Sequence, residues 1–249
     1  MMRDEVNIKR LTSFDSYKDE ILKMHQKIFE GTLLENILIY FDTEYYDFLD
    51  ILIKDKNNYF FIALRKDTEV VGFVHLKDFG EELFLNNIFI SESYQGWGVG
   101  KKVLRDCLDY FDVSRFEYFG LDVFRSNTIA LKWYERIGLE EKSSKSWNKI
   151  ISIKEKLEDN NTIVLVKKKD PNGFNSYFLN DKKLATVIND DYIILHEIYE
   201  EILFYFLSKT NYSIITNCKI NNKSYQIVEL EDSIRMRGEF CMINNLLKN

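Results

Sequence analysis

Apolar and polar residues alternate along several short segments of the first half of the chain, and this pattern predicts strands joined by helices. The segment VNIKRL predicts a first strand. A helix is expected from about Phe14 to Phe29, with Thr12 and Ser13 as candidates for its N-cap. A second helical stretch covers Leu33 to Lys54, where apolar residues recur at helical spacing and a break falls near Asp42.

Three consecutive strands are predicted next, in NYFFIALR, EVVGFVHLKDF and ELFLNNIFI. Turns are expected at residues 66–68 and 80–81. A glycine-rich turn then opens a helix in KKVLRDCLDYF, followed by a strand in FEYFGLDVF and a helix in NTIALKWYERIG that ends at Gly138. The order β-α-α-β-β-β-α-β-α predicts a mixed sheet, so the fold class is α/β, in the sense of an α+β fold on a mixed sheet.

The pattern changes after Trp147, where a polar segment at residues 157–161 is a plausible linker. Pro171 stands in DPNG, which is a turn signal. Strands are predicted in FNSYFLN, KLATVIN and DYIILHE, then a helix from about Ile198 to Lys209, then strands in YSIITNCKI and KSYQIVELEDSIRMR. We expect two domains, residues 1–156 and a small α+β domain at residues 162–249.

Composition and charge exclude several classes of protein. The net charge is −6, which argues against nucleic acid as a main partner, because backbone neutralisation needs a basic face. No apolar run is long enough to span a bilayer, and the charged N-terminus does not resemble a signal peptide, so we expect a cytoplasmic protein without a membrane partner. Three dispersed cysteines and three isolated histidines predict no metal site. A monomer and a homodimer are equally compatible with the sequence.

The glycine-rich turn runs from Gln95 to Gly100 and joins an apolar strand to a helix. Glycines let the backbone approach a ligand closely, and the free N–H groups of a helix N-terminus bind phosphate. Lys101 and Lys102 add positive charge beside the opening. The spacing is neither that of a Walker loop nor that of a dinucleotide-binding fingerprint. A turn of this kind also occurs without any ligand, so the turn alone leaves both readings open.

A second motif downstream changes this balance. Its residues are Leu121, Asp122, Val123, Asn127, Ala130, Tyr134 and Gly138. Together with Gln95-x-x-Gly98-x-Gly100, this motif resembles the signatures of the GNAT acetyltransferase family, and the element order before both motifs is similar too. The resemblance covers about residues 5–155. It implies the GNAT acyl-CoA N-acyltransferase fold, with acetyl-CoA as cofactor and an amine as the other partner.

The resemblance also implies where acetyl-CoA binds. In this family a bulge splays the strand ending at Ile90 from the strand ending near Val123, and the pantetheine arm lies in the wedge between them. Backbone groups of Ile88 and Ile90 would contact the arm, and a nearby N–H would polarise the thioester carbonyl. The cofactor-binding residues predicted in this way are Ile88, Phe89, Ile90, Gln95, Gly96, Trp97, Gly98, Val99, Gly100, Lys101, Asn127, Ala130 and Tyr134.

Two residues are predicted to be catalytic. Tyr134 falls at the family's helix tyrosine beside the sulfur, which makes it the candidate general acid; the alternative is an aromatic core residue. Asp122 falls where an acidic residue serves as base in some relatives; the alternative is a solvated carboxylate. Many relatives carry Glu near Asn86 and Asn87, and this chain does not. A water relay, or an amine that arrives neutral, stays open as the base.

The expected function is transfer of an acetyl group from acetyl-CoA to a primary amine of a small molecule or peptide. The alternatives are a non-catalytic acyl-CoA-binding or regulatory module, and transfer of a longer acyl chain. The C-terminal region has no second Gly-x-Gly turn. Its element order is similar to half of a GNAT domain, and its ending SIRMRG is similar to a last strand of the family. Acceptor binding, dimerisation and completion of the sheet are three competing roles for it.

Overall fold

The computed structural model describes residues 5–14, 16–154, 163–220 and 224–248, and the segment interpreted as a linker, residues 157–161, lies outside them. The chain divides into two compact units. Unit 1 comprises Met1–Glu30, Leu49–Ser144 and Ile234–Asn249, and unit 2 comprises Gly31–Phe48 and Lys145–Ser233. A single division of the chain between residues 156 and 162 does not reproduce these units, because each unit takes segments from both sides of that point.

The described residues form the following helices and strands. The helices are α1 (Lys18–Phe29), α2 (Tyr45–Leu52), α3 (Val99–Leu108), α4 (Thr128–Arg136), α5 (Glu200–Lys209) and α6 (Phe240–Lys248). The strands are β1 (Val6–Leu11), β2 (Asn58–Arg65), β3 (Glu69–Asp78), β4 (Glu82–Ile90), β5 (Tyr118–Phe124), β6 (Glu140–Ile153), β7 (Val166–Lys169), β8 (Asn175–Leu179), β9 (Lys182–Ile188), β10 (Tyr192–Leu195), β11 (Ser213–Thr216) and β12 (Tyr225–Glu239). No helix in this part of the chain is both long and apolar enough to cross a membrane.

In unit 1 the strand order is β1-β2-β3-β4-β5-β12-β6, where β12 and β6 contribute the residues that belong to this unit. β1 to β4 are antiparallel neighbours, whereas β4 and β5 are parallel. The predicted mixed sheet is therefore confirmed. Lys66 and Asp67 both have positive φ, +48° and +61°, in the predicted three-residue turn between Arg65 of β2 and Glu69 of β3.

The main core of unit 1 packs one face of this sheet against helices. Its buried cluster takes Leu121 from β5, Leu104 from α3, Tyr134 from α4 and Phe240 from α6. α1 packs on β3 and β4. α6 was not predicted, because residues 240–248 continue directly from a strand without a cap signal.

The first helices are shorter than the sequence predicted. α1 begins at Lys18 with Tyr17 as its N-cap, so Thr12 and Ser13 do not cap it. Phe14 lies before the helix and is buried edge-on to Phe60, at 4.8 Å between ring centroids. An apolar residue that packs into the core from a loop gives the same sequence signal as one on a helix face. The predicted break near residue 42 is present, since only a short 3-10 turn, Ile39–Phe41, precedes α2.

In unit 2 the strand order is β12-β6-β11-β10-β9-β8-β7, again counting the residues of β12 and β6 that belong to it. β10 and β11 are parallel, and the other pairs whose register is known are antiparallel. α5 covers one face through Ile202, Leu203 and Phe206. The strands predicted as β8 to β12 and the helix predicted as α5 are present. β7 was not predicted, because VKKK has only one apolar residue.

The stretch Gly31–Phe48 belongs to unit 2 and is held there by Asn189 in the β9–β10 turn. The side-chain amide of Asn189 donates to the Phe41 carbonyl at 2.7 Å. The Asn189 N–H donates to Asp42 Oδ2 at 2.8 Å, and the Thr43 N–H donates to Asn189 Oδ1 at 3.3 Å. One turn residue therefore bonds to three consecutive residues, to Phe41 and Thr43 through their backbone and to Asp42 through its side chain.

Candidate functional site

β4 and β5 run side by side for only part of their length. Their parallel pairing ends at Leu85 and Leu121. A bulge follows in β4, because the register against β3 shifts beside His75 and leaves Asn86 as an extra residue before Asn87. The two strands therefore part just beyond their last pair, and backbone N–H and C=O groups are open along the facing edges.

The direction of the β4 backbone along this opening follows from its bonds to β3. The Ser91 N–H donates to a β3 carbonyl at 2.8 Å, and backbone groups face alternate sides along a strand. Those of Phe89 therefore also face β3, whereas those of Ile88 and Ile90 face the opening. The Ile90 carbonyl accepts a hydrogen bond from Gln95 Nε2 at 2.8 Å, which ties the following turn to the end of the strand.

The glycine turn has the conformation that its residue types suggest. Gly96 and Gly98 both have φ of +76°, which favours glycine. Gly98 is the N-cap of α3, and among the residues that the structure describes no side chain caps this helix end. The first N–H groups of α3 therefore lack a side-chain acceptor and present the positive end of the helix dipole. Val99 is buried in the core, and Trp97 is exposed.

The helix opening has space and one free positive charge. A Cβ at Gly100 would approach only the Ile90 side chain, at 3.7 Å, so packing does not require glycine there. Lys101 makes no hydrogen bond or ion pair within the described part of the chain. Lys102, by contrast, pairs with Asp106 at 2.6 Å and donates to a β1 carbonyl at 2.7 Å. Of the two lysines predicted beside the opening, Lys102 is thus engaged in the fold.

Tyr134 lies on α4 and is buried in the core cluster that contains Ile90 and Val123. Desolvation raises its pKa, so the phenol is protonated at every working pH. Its hydroxyl makes no hydrogen bond with the residues that the structure describes. An O–H donor without a protein acceptor is available to a ligand atom.

The Asp122 side chain lies on the face of the sheet opposite to the helix-covered core. Leu121 and Val123 are in the helix-covered core, so strand alternation directs Asp122 away from it. Its side chain is 54% exposed, and Oδ1 lies 3.5 Å from Arg235 Nη1. Oδ2 makes no hydrogen bond to any described residue. Asp122 and Tyr134 thus lie on opposite faces of the sheet.

Comparison with known proteins identifies this arrangement. Residues 19–139 match the acetyltransferase (GNAT) family. This part of the chain belongs to that family. A curated relative, the spermine/spermidine N(1)-acetyltransferase of Bacillus subtilis strain 168, is 27% identical over 144 residues, which cover 54% of this chain and 88% of the relative.

Solved structures agree on the fold. The spermidine N-acetyltransferase from Vibrio cholerae, solved with CoA and spermine, has a TM-score of 0.52 at 14% identity and covers 96% of this chain and 98% of its own. A proposed acetyltransferase from Pyrococcus horikoshii has a TM-score of 0.63 at 15% identity, with 94% and 89% of the two chains covered. At these identities the likeness concerns the GNAT fold alone.

Two residues of the second GNAT motif stabilise a helix in this chain. Asn127 is the N-cap of α4, and its Oδ1 accepts a hydrogen bond from the Ala130 N–H at 3.1 Å. Ala130 is half-buried and packs against the core. Contact of Asn127 and Ala130 with the cofactor arm stays a prediction.

A buried polar network beside the bulge was missed by the sequence reasoning. His75 donates from Nε2 to Asn58 Oδ1 at 2.8 Å and accepts at Nδ1 from Asn86 Nδ2 at 3.1 Å, so its ring is neutral. Burial lowers the pKa of His75 and lowers that of His25 to about 3. The adjacent asparagines, Asn86 and Asn87, were the available signal, since they interrupt an apolar strand. In this GNAT domain the two asparagines stabilise the bulge, near the positions where many relatives carry Glu.

Proposed function

We propose that this GNAT protein transfers an acetyl group from acetyl-CoA to a primary amine. The observation that carries the proposal is the end of the β4–β5 pairing at Leu85 and Leu121, with Asp122 next along β5 on one face of the sheet and Tyr134 in the core on the other face. A strand-like ligand segment placed there would find a protonated phenol on one side and a carboxylate on the other. The glycine turn stands at the end of the same opening.

The residues along this opening fit acetyl-CoA. The Ile88 backbone would pair with the amides of the pantetheine arm as a neighbouring strand does. The uncapped start of α3, with Gly98 at its N-cap and Lys101 unpaired within the described residues, would hold the pyrophosphate. The room beside Gly100 would let the phosphates approach the backbone. When bound, acetyl-CoA supplies an acetyl thioester, whose acyl group passes to the amine nitrogen as the thiol leaves.

The catalytic roles follow from the charge and protonation of two side chains. Asp122 Oδ2 would accept the proton that the amine must lose. Tyr134 would donate a hydrogen bond to the departing sulfur. The raised pKa of Tyr134 lies above that of an alkyl thiol, about 8.5, so complete proton transfer from the phenol to a thiolate would be uphill. Stabilisation of the sulfur by a hydrogen bond is therefore the role that suits this phenol.

A polyamine is the first acceptor to test. The curated relative is a spermine/spermidine N(1)-acetyltransferase, and the net charge of −6 favours a cationic acceptor over an anionic one. Amino acids and peptide N-termini are further acceptors to include, because the match to this relative covers only 54% of the chain. A cytoplasmic location and the oligomeric state stay predictions of the sequence.

Thiol release from acetyl-CoA by the full-length protein, measured with spermidine, spermine, an amino acid and a short peptide, tests this function. Amine-dependent release is expected with at least one primary amine, and mass spectrometry should find the product heavier by one acetyl group. Propionyl-CoA run in parallel tests the longer-acyl alternative. Calorimetric binding of acetyl-CoA without turnover of any amine would contradict the enzyme and favour the non-catalytic binding module.

A further inference from the structure

Arg235 of β12 bridges two carboxylates that stand on neighbouring strands. Its Nη2 lies 2.6 Å from Glu82 Oε2 on β4, and its Nη1 lies 3.5 Å from Asp122 Oδ1 on β5. The guanidinium also lies over the Phe84 ring, at 4.4 Å from the ring centroid. Contacts on three sides fix the position of a side chain that is otherwise flexible.

The Glu82 end of this bridge is the anchor. The Glu82 side chain is 15% exposed, against 54% for Asp122, and its carboxylate bonds only to Arg235 within the described part of the chain. A Cβ at Gly120 would overlap Glu82 Oε1, so glycine at that position makes room for the carboxylate. Oε1 is buried without a hydrogen bond to the described residues, which is costly. The burial of Glu82 Oε1 is therefore an unfavourable contribution that accompanies the ion pair between Glu82 and Arg235.

The Asp122 end of the bridge lies where the strands separate. Asp122 is the first β5 residue after Leu121, the last one paired with β4. Arg235 contacts only Oδ1, so Oδ2 is left for another partner. The guanidinium thus restrains the carboxylate at one oxygen and leaves the other oxygen open toward the separated strands.

We propose that Arg235 is a positioning residue that holds Asp122 ready to accept the proton of the amine. Glu82 fixes Arg235, and Gly120 admits Glu82. The inference rests on the proposed function, because it needs Asp122 to act as the base. Arg235 itself need not touch the substrate, so its effect on turnover should pass through Asp122 alone.

A double-mutant cycle in the full-length protein tests this chain of contacts. Arg235→Gln should lower kcat/KM for the amine about tenfold, as a partial loss of the base contribution, and leave the Kd of acetyl-CoA unchanged. In an Asp122→Asn background the same change should alter kcat/KM less than about twofold, since no base is left to position. Arg237→Gln is the matched control, because Arg237 stands two residues along the same strand and packs over Tyr118.

Glu82→Gln is a second route to the same result, because it removes the anchoring charge with little change in shape. It should lower kcat/KM in the parent protein and not in the Asp122→Asn background. Equal losses in both backgrounds, or full activity of both Arg235→Gln and Glu82→Gln, would overturn the positioning role while the acetyl transfer stands. Failure of the parent protein to acetylate any amine would overturn the proposed function, and the positioning role with it.

Discussion

Substitution of Gly100 separates what the fold needs from what the ligand needs. A Cβ at this position would make only an ordinary contact with the Ile90 side chain, at 3.7 Å. Gly100 lies in the first turn of α3, where an aspartate favours the helix dipole. Gly100→Asp should therefore keep or raise the stability of the free protein, because glycine in a helix costs about 1 kcal/mol relative to alanine.

The same substitution should weaken acetyl-CoA binding. A carboxylate roughly 5 Å from a pyrophosphate carrying about two charges is repelled by about 1.7 kcal/mol even at the dielectric constant of water. That energy corresponds to roughly a 15-fold rise in Kd, and partial burial of the pair would increase it. The opposite signs of the two effects distinguish loss of binding from loss of folding.

Calorimetric titration and thermal melting of Gly100→Asp, Gly100→Asn and Gly100→Ala measure both quantities. Asn matches Asp in size without the charge, and Ala tests the space alone, so both should bind acetyl-CoA within about threefold of the parent. The difference between Asp and Asn should shrink as salt rises, because the repulsion is screened. Equal Kd values for Asp, Asn and the parent would refute the placement of the pyrophosphate at this turn.

Three further substitutions test other parts of the structure. Tyr134→Phe should lower kcat by about 10- to 100-fold through the lost hydrogen bond to sulfur and leave the Kd of acetyl-CoA within twofold; unchanged kcat would exclude that role. The pKa of His25 is about 3 in the folded state against 6.5 unfolded, so the protein should lose about 2 kcal/mol from this group between pH 7 and pH 5. Urea unfolding of His25→Gln at pH 7 and pH 5 should lack this loss of about 2 kcal/mol in the free energy of unfolding. An identical pH dependence in both proteins would contradict the buried neutral ring. Asn189→Ala should cost about 1–3 kcal/mol, because it removes two side-chain hydrogen bonds and leaves a non-glycine residue at φ +49°. Asn189→Gly, which suits the backbone angle, should recover part of the lost stability. A parent-like unfolding midpoint for the alanine variant would contradict the stabilising role of the Asn189 hydrogen bonds to residues 41–43.

Local signals predicted most of the elements in the first 140 residues. Strands β2 to β5 alternate or run apolar between clear turns, and Gly138 marks the end of α4 with φ of +95°. Elements without such signals were missed, namely β6, whose first half is polar and exposed, β7, with its run of lysines, and α6, which follows β12 directly. The start of α1 was misplaced because Phe14 is buried from a loop.

The candidate site, too, was predicted from the sequence only in part. The motifs located the glycine turn, Tyr134 and Asp122 along the chain, since each has a fixed spacing. The opening itself depends on where the pairing of β4 with β5 stops and on the bulge of β4 against β3. Neither register can be predicted from the sequence of a single strand. Arg235 stands 113 residues from Asp122, so no local pattern connects them.

The path of the chain through the two units has a consequence for biosynthesis. All of residues 145–233 leave the ribosome before Phe240, Ile243 and Leu247, which fill the core of unit 1. At 5–20 residues per second, the nascent acetyltransferase core waits several seconds for its last strand and helix. During that delay the edge of β5 and the apolar side that α6 will cover are exposed to chaperones and proteases. A stop codon anywhere in residues 145–233 would therefore yield an unfinished catalytic domain, even though both sequence motifs had already been translated.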